Sequence, residues 1–379
     1  MKRLAQVLLI GALSWAGPAF GQEARTLTWG GYEVTSTASQ DRVHVDQSDG
    51  VEVLTVSRGS ARLQGADFSE GVIEFDIAFD DSFGFGGIQW HITDNSAEYF
   101  YIRQHKSGQP DAGQYTPVRN GLTSWQIFTD RNGIAPLAFT HEGWNHFKMV
   151  VIGDKAEIYF NGSDDPQLHI PDLATDQGMG GLGFLSSGPA GELRLANLVV
   201  RALGDGDRLV SGPAEVPALP DGVIESWAIS RQFPETLVKD ALVMPAAVGS
   251  LASVAVLPVE ANGIADLGRA AVLGDEDDSL VASVHIRSTG DKRVRLKFGY
   301  SDRLRLFLNG ELLFEGNAGW RTRDHFYLGT VGFLDEVVLP LGEGSNRLDA
   351  VVSETFGGWA IAGAIADREG LKIAAEPLE

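Results

Sequence analysis

Apolar and polar positions alternate with period two over much of the chain. In Ile73-Glu74-Phe75-Asp76-Ile77-Ala78-Phe79 the residues at 73, 75, 77 and 79 share one face, and Glu74 and Asp76 share the other. That spacing predicts a strand with one buried side. The run 87–92 turns Ile88, Trp90 and Ile92 inward and leaves Gln89 and His91 outward. In 99–105, Phe100 and Ile102 point to the core, with Tyr99, Tyr101, Arg103 and His105 opposite. Further strands are predicted at 147–152, 156–160, 181–185 and 192–201, with Gly153-Asp154 and Asn161-Gly162 as turn signals. Past residue 222, strands are expected at 293–298, 303–308, 312–314, 337–339 and 347–352, and Asn309-Gly310 joins two of them. Helical signals are few; 233–242 reads as one helical turn or two.

This density of short strands, with 46 glycines for their turns, predicts an all-β chain. Its length exceeds one ordinary core, so two domains are expected. The break between them is 204–222, GDGDRLVSGPAEVPALPDG, whose three prolines and four glycines read as a linker. Ahead of both, Lys2 and Arg3, an apolar run to Trp15 and the small-x-small site Ala19-Phe20-Gly21 read as a signal peptide over 1–21. The expected location is the bacterial periplasm or the medium, with no membrane span, since a span needs about 20 apolar residues. Without Lys2 and Arg3 the formal charge moves from −21 to −23, with 28 basic against 51 acidic residues. Such a field disfavours nucleic acid as a partner. The absence of cysteine excludes disulfides, thiolate nucleophiles and Cys-ligated metal centres.

Two resemblances sharpen the architecture. The series GVIEFDIAF, GGIQW, Trp144 with FKMVVIGDKAEIYFNG, GMGGLGF and LANLVV resembles the concanavalin A-like jelly roll, and more narrowly laminin-G-like and 3-keto-disaccharide hydrolase-like domains of exported bacterial proteins. Farther on, FGYSDRLRLFLNGELLFEG, LPLGEGSNRLDAVV and ETFGGWAI resemble galactose-binding-like jelly rolls. The expected fold is therefore two jelly-roll β-sandwich domains joined by a Pro/Gly-rich linker: 26–203 concanavalin A-like and 223–375 galactose-binding-like, with 204–222 between them. The first resemblance implies a ligand on the concave sheet or its rim loops, a face expected to carry Glu74, Asp76, His91, Tyr101 and Arg103.

The stretch EYFYIRQHKSGQPDAGQYTPVRNGLTSWQ, 98–126, holds three of the seven tyrosines and one of the eight tryptophans. Flat aromatic faces beside planar hydrogen-bonding groups suit a sugar, and its part 106–125 reads as a long loop, which in a compact domain is commonly functional. The expected binding residues are Tyr101, Arg103, His105, Asp111, Gln114, Tyr115, Asn120 and Trp125. Tyr101 and Trp125 would stack on the ring, and Arg103 would grip through its planar fork. The competing account keeps Trp125 in the core and lets the polar groups satisfy the loop's own backbone.

Catalysis has weaker support. Glu74-Phe75-Asp76-Ile77-Ala78-Phe79 resembles the E-x-D-x-x-E motif of retaining laminarinase-type glycosidases, in which two carboxyls about 5 Å apart flank the bond. Phe79 stands in place of the second glutamate, so that mechanism does not transfer. Glu74 and His91 remain candidate acid/base groups for a glycoside or 3-keto-glycoside hydrolase or lyase. The leading reading is an exported carbohydrate-binding protein; a structural or adhesion module is the third. No cofactor or metal is expected. The GMGGLG run lacks a βαβ context, and His141-Glu142 with His146 is one residue too long for the helical zinc motif. The acidic run 275–278 reads as a solvated loop ahead of a calcium site. In the second domain, 320–325 and Glu354-Thr355-Phe356-Gly357-Gly358-Trp359 read as exposed loops.

Overall fold

A computed structural model describes residues 24–130, 132–174, 178–212, 217–274, 276–319 and 330–378. The signal-like segment 1–21, Asp275 and the loop residues 320–325 lie outside the described residues. The chain is all-β, with antiparallel sheets and, among the described residues, only single-turn helices. It forms two compact units. One runs to Gly121 and resumes at Phe128 as far as the linker; the other takes Leu122–Ile127 together with the remainder.

The first unit is a sandwich. Its back sheet orders Leu168–Ile170, Lys155–Phe160, Asn145–Ile152, Gly71–Ala78, Glu192–Arg201, Val51–Ser57 and Val43–Ser48. Its front sheet runs through Arg25–Trp29, Tyr32–Ser36, Gly59–Phe68, Gly180–Ser187, Phe85–Ile92, Ala97–Arg103 and Gly113–Arg119. The alternating residues meet between them. Phe75 stacks on Phe147 at 5.6 Å and sets its edge to Phe184 of the front sheet at 5.2 Å. Phe79 joins this core, edge-on to Phe139 at 5.1 Å.

The alternation fails at one point. His91 has φ 51° and the pairing slips between Gly181 and Gly183, a β-bulge in the strand Phe85–Ile92. A bulge adds one residue and reverses the facing of the residues after it. Ile92 therefore clusters with Tyr99 and Tyr101 on the face away from the core. His91 is buried, its Nε2 2.7 Å from Ser69 O, where an outward side chain was expected. Gly180 is required opposite this bulge, because a Cβ there would lie 2.5 Å from the His91 backbone.

The first part of the linker is not loose. Arg201 pairs with Asp207, and the N–H groups of Val210 and Ser211 donate to Glu157 at 3.0 and 2.7 Å. Leu203 and Leu209 pack on Val72, Val150 and Tyr159, on the outer face of the back sheet. Burial raises the Glu157 carboxyl, but bonds from Tyr159, Ser211 and Val210 outweigh it and hold the group below its ordinary value. Its stabilisation is thus present above the unfolded value of about 4.3 and lost as pH falls through the folded one. Glu157→Gln is expected to make the 204–211 segment protease-sensitive at pH 7, as the wild type becomes only in acid. Equal resistance of the two proteins at pH 7 would reject the anchor.

The second unit is also a two-sheet sandwich. One sheet orders Ser253–Pro258, Ser226–Ser230, Ser279–Ser288, Gly344–Ser353, Arg303–Leu308 and Glu311–Asn317; the other orders Ile264–Asp266, Ala360–Ala364, Lys292–Ser301 and Asp335–Leu341. Trp227, Phe298, Leu306 and Trp359 lie in its core. Asn309 and Gly310, at φ 52° and 84°, form the tight turn that their sequence predicts, with Leu308 paired to Glu311. The helical signal at 233–242 resolves to one 3-10 turn, Glu235–Leu237.

Candidate functional site

Three neighbouring strands of the front sheet set their non-core side chains in cross-strand rows. Gln89 pairs with Tyr99 and Tyr99 with Thr116; Gly87 pairs with Tyr101 and Tyr101 with Gln114. Gly87 lets the strands close up, since a Cβ there would meet Phe100 O at 2.1 Å. Tyr99 and Tyr101 stack at 5.1 Å, and the Arg103 guanidinium lies 5.0 Å over the Tyr101 ring.

Polar atoms at this centre converge. Arg103 donates to Asp111 O at 2.7 Å, to the Tyr101 hydroxyl at 2.9 Å, and to Gln114 Oε1. The Tyr101 hydroxyl donates to the same Gln114 oxygen at 2.6 Å, and Gln114 Nε2 donates to Phe128 O at 2.7 Å. Lys106 closes the surface end, 2.6 Å from Asp111 Oδ2. Burial pushes the Tyr101 phenol up, with the Arg103 charge opposing. Burial also raises Asp111, but Lys106 and Arg103 outweigh it and leave the carboxyl low and ionised. The result is a guanidinium, a phenol and an amide locked in one arrangement by bonds to one another.

Tyr101, Arg103, Asp111 and Gln114 thus come together, Gln114 from the strand Gly113–Arg119, where a loop was expected. His105 lies beside them in the 3-10 turn Gln104–Lys106, 4.3 Å from the Phe83 ring. Burial first, then the Lys106 and Arg103 charges, hold its imidazole below the ordinary value. The other expected residues are elsewhere. Tyr115 is next to Gln114 on a strand and so faces the core, donating to Glu98 at 2.6 Å. Asn120, at φ 51°, makes the tight turn with Gly121 and accepts from Asn95 at 3.0 Å. Trp125 belongs to the second unit, stacked on Phe356 at 6.0 Å, because Leu122 is drawn into that unit's core.

Glu74 and Asp76 sit on the back sheet, on its outer face, and not beside Arg103. Their partners are His146, 2.8 Å from Asp76 and 3.7 Å from Glu74, Asn197, 2.6 Å from Asp76, and Arg201, 3.8 Å from Glu74. Glu74 and His91 therefore do not form an acid–base pair, being on different sheets. Sheet order, which no local pattern encodes, separates them.

One constellation escaped the sequence. Glu354 and Trp359, expected in an exposed loop, are each 1% exposed, and Asp302 is 2% exposed. The Ser301 hydroxyl lies 3.2 Å from Asp302 Oδ1 and 3.3 Å from Glu354 Oε2, and also donates to Gln126. Burial first, then the Asp302 charge, push the Glu354 carboxyl well above its ordinary value. Two acidic residues 52 positions apart carry no joint signal in a single sequence. Among the described residues no group of three or more His, Asp or Glu is placed to hold a metal ion.

No family model matches the chain, and no curated protein matches it. Among solved structures it is similar to a carbohydrate-binding module, CBM66, from Bacillus subtilis, at 14% identity and TM-score 0.32 over 44% of this chain and 92% of that one. A Bacillus licheniformis beta-glucanase aligns at 11% identity and TM-score 0.34 over 51% of this chain and 97% of that one. A Bacillus subtilis protein of unknown function with a galectin-like fold aligns at 13% and 0.30, over 42% and 89%. Similarities at this level establish neither family nor activity, and the sandwich assignment rests on the sheets themselves.

Proposed function

We propose that the first unit is a glycan-recognition module of an exported protein. The observation that carries this reading is the Tyr101–Arg103–Gln114 assembly, planar polar groups fixed on the sheet face turned away from the core. The basic, apolar and small-residue order of 1–21 supports a place outside the cytoplasm. Tyr101 and Arg103 are only 6% and 7% exposed, so a saccharide meets the network first at Asp111 and Lys106, whose side chains are 32% and 38% exposed.

Recognition is favoured over hydrolysis because Phe79 packs in the core where a second catalytic carboxyl would be needed, and Glu74 and His91 do not converge. Calorimetry against a glycan panel tests the proposal. Wild-type protein is expected to bind. Arg103→Ala should weaken binding by roughly tenfold or more, and Tyr101→Phe, which removes one hydroxyl, by less. Absence of binding by wild type, or indifference to both substitutions, would end the proposal. Turnover of a 3-keto-glycoside that is lost in Glu74→Gln would restore the enzymatic reading.

A further inference from the structure

A second surface of the first unit has the character of a ligand site and belongs to none of the residues above. At one edge of the sandwich lies an open cleft of about 730 Å³, within the size range of small-molecule sites. Trp144 stands on its wall with 41% of its surface exposed, whereas Trp29, Trp90, Trp227 and Trp359 are all buried. The Arg194 guanidinium lies 5.6 Å over the Trp144 ring, which braces the indole from the strand Glu192–Arg201. Asp49, Asp80, Glu142 and Glu192 line the cleft and are exposed, against two arginines, Arg58 and Arg194.

Trp144 is not part of the hydrophobic core, in which Phe79 and Phe139 pack edge to face. An amphipathic ring with one apolar body suits the apolar face of a pyranose. Carboxylates accept hydrogen bonds only, so they suit hydroxyl groups and disfavour a carboxylated sugar. Carboxylates outnumber guanidinium groups in the lining, and the whole chain carries a formal charge of −21, so the local and global fields agree in sign.

We infer that the Trp144 cleft binds a non-acidic saccharide, stacked on the indole and held through hydroxyls by the surrounding carboxylates. This rests on the glycan-recognition reading and adds a site and a ligand class to it. Wild type, Trp144→Ala, Trp144→Phe and Arg103→Ala are titrated with cellohexaose and with oligogalacturonate of equal length, following calorimetric heat, after thermal melts establish that each variant is folded. Cellohexaose is expected to bind wild type at two places: Arg103→Ala weakens only the component that depends on the Arg103 network, Trp144→Ala weakens the other component by roughly tenfold or more, and Trp144→Phe restores that component in part. Oligogalacturonate is expected to bind more weakly than cellohexaose throughout. If Arg103→Ala abolishes binding while Trp144→Ala leaves it unchanged, glycan recognition stands and the cleft is rejected. Equal affinity for the acidic oligomer overturns the ligand class. If wild type binds neither oligomer nor any member of the wider panel, the glycan-recognition reading falls and takes this site with it.

Discussion

Phe75→Ala is expected to destabilise the first unit by about 3–5 kcal/mol, the usual cost of emptying a buried phenylalanine site. Phe75 is 1% exposed and touches aromatic rings of both sheets, Phe147 beside it and Phe184 opposite. Neither ring can collapse into the space without leaving its own strand, so the cavity persists. For a unit of this size the change amounts to roughly 6–20 °C in melting temperature, against a total stability of about 5–15 kcal/mol for a typical domain. The neighbouring Glu74→Ala supplies the contrast. Glu74 lies on the outer face of the same strand with ion-pair distances of 3.7 and 3.8 Å, and such pairs contribute about 0–1 kcal/mol. Thermal melts of the two variants decide the matter: equal losses would mean that the assigned facing of this strand is wrong.

Glu354→Gln is expected to stabilise the second unit at alkaline pH, an unusual sign for a fully buried polar position. Glu354 Oε1 accepts the N–H groups of Thr355, Phe356 and Gly357 at 2.9, 3.1 and 3.2 Å, and a glutamine oxygen can keep all three. Its other oxygen faces Ser301, with Asp302 across the hydroxyl. The nearby cation, Arg303, is already engaged by Glu235 at 2.8 Å and Thr355 at 2.8 Å, with Asp278 3.9 Å away. Because the folded value is raised, the contribution of this group to stability is fully present below the ordinary carboxyl value of about 4.3 and is lost as pH rises through the folded value. An amide stays neutral and donates to the remaining carboxylate. The gain expected at pH 8 is on the order of 1–3 kcal/mol, the scale on which a poorly compensated buried charge is relieved. Near pH 4 the two proteins should melt together. Chemical denaturation at both pH values checks this, and a glutamine variant less stable at pH 8 would show that the wild-type carboxylate is ionised and compensated.

Much of the fold is legible along the chain. The alternation through 73–79 becomes the strand Gly71–Ala78 with Ile73, Phe75 and Ile77 in the core, and the Asn309-Gly310 pair becomes a two-residue turn. The candidate site is legible in part. Tyr101 and Arg103 share a face because they are two residues apart, and Gln114 joins them only because its strand pairs in one particular register. His91 misleads, since a bulge depends on its neighbour at Gly180, about ninety positions away in the chain. Trp125 misleads for a similar reason: what removes it from the Tyr101–Arg103 group is the second unit's core, which takes in Leu122.

By itself, then, the sequence determined many of the strands and, bulge apart, which side chains of those strands face the core, because a period of two is a property of consecutive residues; it read the strand Gly113–Arg119 as part of a loop. It did not determine which strands are neighbours. Gly59–Phe68, Gly180–Ser187 and Phe85–Ile92 lie side by side out of chain order, and Gly71–Ala78 is placed in the opposite sheet. Only that tertiary arrangement parted Glu74 from Arg103, buried Glu354 against Asp302, and left Trp144 standing in an open cleft. The physical reason is that facing is set by local geometry, whereas convergence is set by nonlocal pairing and the burial it brings.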